Sequence, residues 1–143
     1  MSDRGKQATR ILATIVLLAA VACSNDTSPP GEPGNASEVD RVIEIETTNE
    51  LRFDPSEIEA EAGETIEFKI TNAASSEHEF VLGPAHEHTD DMHHSAENAT
   101  GAIQPDASAS VIWHFTDAGE TQFACHIAGH DKQGMTGTVS ISG

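Results

Sequence analysis

From Val39 to the C-terminus, apolar side chains alternate with polar ones in short runs, and a period of two commits the chain to β-structure. Ile43 and Ile45 alternate with Glu44 and Glu46. Ile66, Phe68 and Ile70 alternate with Thr65, Glu67 and Lys69, and Val111, Trp113 and Phe115 with Ile112 and His114. Further short strands are expected at 51–53, 57–61, 77–82, 120–125 and 136–141. The breaks carry turn chemistry, namely Thr47-Thr48-Asn49, Asp54-Pro55, Ala62-Gly63 and Asp117-Ala118-Gly119. Helical periodicity is weak, and 84–106 lacks strand patterning, so a long loop is expected there. About eight short strands at this spacing predict an all-β, antiparallel sandwich of two sheets.

The N-terminus follows other rules. Arg4, Lys6 and Arg10 form a basic flank, and Ile11 to Ala22 is apolar except for Thr14. That run is too short to span a bilayer comfortably, and small residues close it, so residues 1–22 read as an export signal. Cys23 follows Leu18-Ala19-Ala20-Val21-Ala22 directly and resembles a bacterial lipobox cysteine. The resemblance implies acylation of Cys23 and a membrane attachment through that lipid anchor only. Ala20-Val21-Ala22 also fits ordinary A-x-A cleavage, which would leave a soluble protein. Either way the domain is expected outside the cytoplasm, in the periplasm or cell envelope. Residues 23–38 hold three Pro and two Gly without apolar periodicity and read as a flexible tether, leaving 39–143 as the domain.

Charge narrows the partners. The full chain of 143 residues carries a formal charge of −17. Losing the signal removes three basic residues and one acidic one, so the remainder is still more acidic. Such a surface repels phosphate backbones and argues against nucleic-acid binding. It suits cations, or a redox partner protein with a basic docking surface. The two cysteines also separate: with Cys23 at the extreme N-terminus, Cys125 stands as a lone thiol in an exported domain. An oxidising compartment makes an unpaired thiol a liability unless something occupies the sulfur.

The segment Phe123-Ala124-Cys125-His126-Ile127-Ala128-Gly129-His130-Asp131-Lys132-Gln133-Gly134-Met135 supplies an occupant. It presents Cys-x4-His-x4-Met at the end of one expected strand and the start of the next. A thiolate, an imidazole and a thioether in one tight loop suit copper, since soft sulfur favours Cu(I) and nitrogen suits both states. His78, opening the expected strand 77–82, offers a fourth ligand. Two imidazoles, a thiolate and a long axial Met make a blue-copper electron-transfer set, whereas a Met ligand is out of place in structural zinc sites. Alone, a free Cys is often a small buried hydrophobe and a loop Met a gap-filler. It is their conjunction at this spacing that points to metal.

With these residues in view, 39–143 resembles the cupredoxins, the small blue copper proteins of the plastocyanin, azurin and rusticyanin type. His78-Glu79-Phe80-Val81-Leu82-Gly83, Trp113-x-Phe115-Thr116 and Cys-His-Ile-x-Gly-His also resemble bacterial periplasmic cupredoxins linked to copper tolerance. The resemblance implies a Greek-key sandwich with one type 1 copper held by His78, Cys125, His130 and Met135. Two departures stand out. Many relatives place Asn or Ser after the first His ligand, where it helps hold the Cys loop. Here that position is Glu79, and Asn72 is the candidate substitute. Cys125-His126-Ile127 is similar to the His-Cys-His motif of multicopper oxidases, but the preceding residue is Ala124. His126 is therefore expected to be a partly exposed strand residue facing away from the copper.

A second histidine cluster, His86-Glu87-His88-Thr89-Asp90-Asp91-Met92-His93-His94, lies in the expected long loop. Its bland reading is a solvated polar segment, and its functional reading a weaker second copper site built from His86, His88, Met92, His93 and His94. Two functions follow, neither enzymatic. One is a one-electron carrier using the mononuclear site. The other is a copper-tolerance or copper-sequestering protein using the His/Met loop as well.

Overall fold

The computed structural model describes residues 29–83 and 97–143. The signal, Cys23, the tether as far as residue 28 and the whole cluster from His86 to His94 lie outside these residues. Among the described residues nine strands form: β1 (Glu32–Pro33), β2 (Arg41–Thr48), β3 (Arg52–Asp54), β4 (Glu57–Glu61), β5 (Thr65–Asn72), β6 (Val81–Leu82), β7 (Ser108–His114), β8 (Gly119–Ala124) and β9 (Thr136–Ser142). They make a five-stranded sheet ordered β1-β7-β5-β2-β3 and a four-stranded sheet ordered β4-β9-β8-β6. Among the described residues no helix is long and apolar enough to cross a membrane.

Sequence alternation translates directly into the interior. Ile66, Phe68 and Ile70 on β5 are fully buried, while Lys69 between them is exposed. On β7, Val111 and Trp113 face in, and Phe115 just beyond its end is fully buried. Between the sheets Phe80 stacks on Phe68 at 5.5 Å and on Phe123 at 5.0 Å, and Phe53 meets Phe123 edge-on at 5.3 Å. This aromatic centre compensates for the scarcity of large side chains elsewhere.

Three expectations need correcting. The sandwich is not purely antiparallel, because β2 pairs with β5 and β4 with β9 in parallel. The chain crosses to the second sheet between β3 and β4 and returns for β5, so β5 re-enters beside β2 running the same way. The strand expected over 77–82 shrinks to β6, preceded by a single bridge from His78 to Ile103. The partner is the stretch 97–106, read from sequence as loop: Ala99 bridges Val81, and Ile103 joins the core at 3% exposure.

The third correction concerns the tether, whose described part is built into the sheet. Pro29 is buried, and β1 pairs Glu32 with His114 and Pro33 with Trp113. The Trp113 indole N–H, otherwise orphaned on burial, donates to the Pro30 carbonyl at 3.0 Å. Proline suits an edge strand, which explains how a Pro-rich stretch serves here.

Candidate metal centre

Burial of the aromatic centre dictates where the donors lie. Phe80 is two residues beyond His78, and Phe123 two residues before Cys125, so the period of two carries both inward faces one step further. His78 and Cys125 are accordingly fully buried just past the stacked rings. From Cys125 the chain leaves β8 and makes two short 3-10 turns, Ile127–Gly129 and Asp131–Gln133, before β9. Its base is closed by Cys125 N–H donating to the Met135 carbonyl at 3.1 Å, and Met135 N–H donates to the His130 carbonyl at 3.0 Å. Met135 is thereby fully buried at the root of the loop, while His130 is half-exposed at its rim.

The donor atoms converge. Cys125 Sγ lies 3.8 Å from His78 Nδ1 and 3.5 Å from His130 Nδ1, and the three atoms all fall within 4.8 Å of one another. The two imidazole centroids are 5.0 Å apart. Metal–nitrogen and metal–sulfur bonds of about 2.0–2.3 Å in a trigonal plane separate their donors by about 3.5–3.7 Å. Both sulfur–nitrogen distances therefore already stand close to ligand spacing, and the soft and imidazole chemistry of His78, Cys125 and His130 fits copper.

Electrostatics agree. Burial pushes the Cys125 thiol up to about 11, although the N–H groups of Glu79 and Ile127 pull it the other way. Burial, and then the neighbouring His130, hold His78 below the ordinary histidine value. The sulfur is thus a thiol at neutral pH and must lose its proton to bind a metal ion. Copper addition at pH 8 is expected to release about one proton per metal from Cys125, and apparent affinity to rise about tenfold per pH unit while that exchange persists. Calorimetry in buffers of different ionisation enthalpy measures the release; a value near zero would contradict it.

Glu79 carries more than its sequence position suggested. It is buried at 7% exposure; its N–H donates to Cys125 Sγ at 3.4 Å, and its Oε1 accepts from the His126 N–H at 3.1 Å. The residue beside the first histidine therefore ties both sides of the cysteine, despite not being Asn or Ser. Asn72 does not substitute for it. Its side-chain oxygen accepts from Thr47 Oγ1 at 2.7 Å and Ala74 N–H at 3.0 Å, and its amide nitrogen donates to the Ser76 and Ile103 carbonyls, both at 2.8 Å. It braces the approach to His78 instead. Asn72→Ala removes the acceptor of the buried Thr47 hydroxyl and Ala74 N–H together with one donor to the Ile103 carbonyl, and is expected to cost about 2–4 kcal/mol, read from urea unfolding.

His126 also departs from expectation. It lies just beyond β8, and its side chain is only 4% exposed, with Nδ1 3.6 Å from Asp131 Oδ2. Asp131 N–H donates to the Cys125 carbonyl at 2.8 Å, so the turn that folds Asp131 inward also covers His126.

Comparison with known proteins points the same way. Residues 39–142 match the family described as copper binding proteins, plastocyanin/azurin family. Over 123 residues the chain is 37% identical to the copper-resistant cuproprotein CopI of Rubrivivax gelatinosus, covering 80% of this chain and 74% of that one. A protein of the same name from Pseudomonas aeruginosa is 28% identical, with 89% and 93% covered. Among solved structures, auracyanin B superposes with a TM-score of 0.61 at 18% identity, over 82% of this chain and 99% of that one. A multicopper oxidase from Campylobacter jejuni superposes at 0.58 with 13% identity, over 78% of this chain but 31% of the oxidase. Likenesses at such identity concern the fold alone.

Proposed function

The chain belongs to the plastocyanin/azurin family of copper binding proteins, and from that premise we propose that it serves copper tolerance through one mononuclear copper site that exchanges one electron. The observation that carries this reading is the convergence of buried His78 and Cys125 with the rim residue His130, their donor atoms all within 4.8 Å of one another. Met135, fully buried at the root of the same loop, would offer the copper a weak thioether donor. Copper, when bound, supplies the Cu(I)/Cu(II) couple. The protein holds the donors in place, excludes water from His78, Cys125 and Met135, and leaves His130 at the rim, where it would be the exposed edge for electron exchange. A donor set assembled beforehand needs little rearrangement between oxidation states.

The copper-resistance names of the relatives favour tolerance as the physiological task. The His86, His88, Met92, His93 and His94 run adds a weaker pick-up site. The Cys23 lipid anchor holds the domain in the cell envelope, and the acidic surface steers copper ions or a basic redox partner toward it.

Copper stoichiometry of the mature protein tests the reading. More than one copper per chain, falling to one without loss of colour when the five His/Met loop residues become Ala, is the expected result. Cells carrying only that variant should grow poorly in copper; unchanged tolerance would sink the tolerance assignment. A second reading, a dedicated electron carrier, is favoured by the preformed triad and requires a single tight copper with no growth effect. If Met135 is the thioether donor, Met135→Leu is expected to keep the colour and raise the potential by about 60 mV, a tenfold shift in relative Cu(I) and Cu(II) affinity. Voltammetry showing an unchanged or lower potential would place Met135 outside the ligand set.

A further inference from the structure

The ligand loop is held from outside on both shoulders. On one, Glu79 Oε1 accepts from the His126 N–H. On the other stands Arg52, the first residue of edge strand β3, 81 positions away in sequence. Its Nη1 donates to the Gln133 carbonyl at 3.1 Å and to the Leu51 carbonyl at 2.7 Å, with the Glu50 carbonyl at 3.4 Å. These acceptors are all main-chain oxygens, and among the described residues no salt bridge engages this guanidinium. The same group lies over Gly134: a Cβ there would meet Nη1 at 3.1 Å, Nη2 at 3.2 Å and Cζ at 3.3 Å. Gly134 also has a φ of 97°, so the left-handed turn and the close approach both call for glycine.

We propose that Arg52 is a positioning residue for the copper centre, pinning the Gln133–Gly134 segment so that Met135 and His130 keep their places relative to Cys125. The inference rests on the ligand set proposed above. Its physical basis is the weakness of what else holds this stretch. Inside the Cys125–Met135 closure the stretch is two short 3-10 turns that share His130, with poorer hydrogen-bond geometry than an α-helix and no cooperative length. Met135 has three rotatable bonds, so its sulfur stays where the backbone puts it. Arg52 grips the carbonyl two residues before that backbone and joins it to the β2–β3 turn. The guanidinium plane fixes the directions of the two Nη1 N–H bonds, one toward each segment, whereas a lysine ammonium rotates freely on a shorter stem.

The test compares Arg52→Met, Arg52→Lys and Lys132→Met, the last removing an equally exposed charge from the same loop. Two measurements use the copper-free protein: hydrogen exchange at the Met135 amide, and the rate at which Cys125 reacts with a disulfide reagent. A third follows copper release from the loaded protein to a chelator. Arg52→Met is expected to accelerate all three about tenfold, the loss of one hydrogen-bonded constraint, with little change in the urea midpoint. Arg52→Lys should resemble it, and Lys132→Met should match the unaltered protein. Arg52→Met that only lowers the midpoint, Arg52→Lys indistinguishable from the unaltered protein, or Lys132→Met reproducing the acceleration would each overturn the assignment. If Arg52→Met does not fold, Arg52→Lys decides alone. The copper-free readouts separate this outcome from failure of the ligand set, which would show as an unaltered protein that takes up no copper.

Discussion

Cys125→Ser is expected to remove all of the intense visible absorption of the copper-loaded protein and to weaken copper binding by more than about 100-fold, while the fold survives. The absorption needs a copper–thiolate bond, and a serine hydroxyl supplies neither the soft donor nor an accessible anion. Loss exceeds the roughly 10–100-fold typical of residues that merely support a ligand, because Cys125 is the donor common to both short contacts with His78 and His130. Survival of the fold follows from near-isosteric replacement at a fully buried position. The Glu79 N–H that donates to Sγ finds an oxygen acceptor in the variant, so the stability cost is about 1–2 kcal/mol. Absorption and copper titration, with circular dichroism as the folding control, measure all three. A variant that stays coloured would remove Cys125 from the site.

Gly137→Ala is expected to cost about 3 kcal/mol and to lower the melting temperature by roughly 10–20 °C. The new methyl would clash with Cζ and Cε2 of the Phe123 ring and lie 2.6 Å from the Ser56 carbonyl. Gly137 is the register partner of Phe123 across β8 and β9, so glycine here admits close approach. The ring has nowhere to retreat, since it stacks on Phe80 and abuts Phe53 edge-on. Displacing Phe123 also drags Cys125, two residues further along the chain, so the loaded protein should show an altered spectrum as well. Thermal melting of the copper-free domain checks the first effect. A melting temperature within a few degrees of the unaltered protein would mean that the core yields more readily than its packing implies.

The candidate donors were legible because ligand chemistry restricts residue type, and a Cys-x4-His-x4-Met loop compresses three of them into eleven positions. His78 was legible for a different reason, as an imidazole at the mouth of an apolar run. The copper family and the β-sandwich followed from the same marks. What supports the donors was not readable in this way. Alternation places Glu79 on the opposite face from His78 and therefore outside. In the fold the chain leaves regular pairing at this point, and the carboxylate turns to the His126 N–H. Asn72 looked available for the cysteine, yet its four side-chain hydrogen bonds are consumed by Thr47, Ala74, Ser76 and Ile103. Arg52 had no signal at all, because its target is a backbone carbonyl, and backbone acceptors have no sequence.

The residue order alone therefore determined the period of the strands, the all-β class and the candidate copper donors, since periodicity and ligand type are local properties. Tertiary structure decided the parallel pairings, the incorporation of Pro29–Pro33 against Trp113, and the double clamp of Glu79 and Arg52 on the ligand loop. Each of these depends on which main-chain groups are left without partners once the sheets close, and that is known only when distant segments have met.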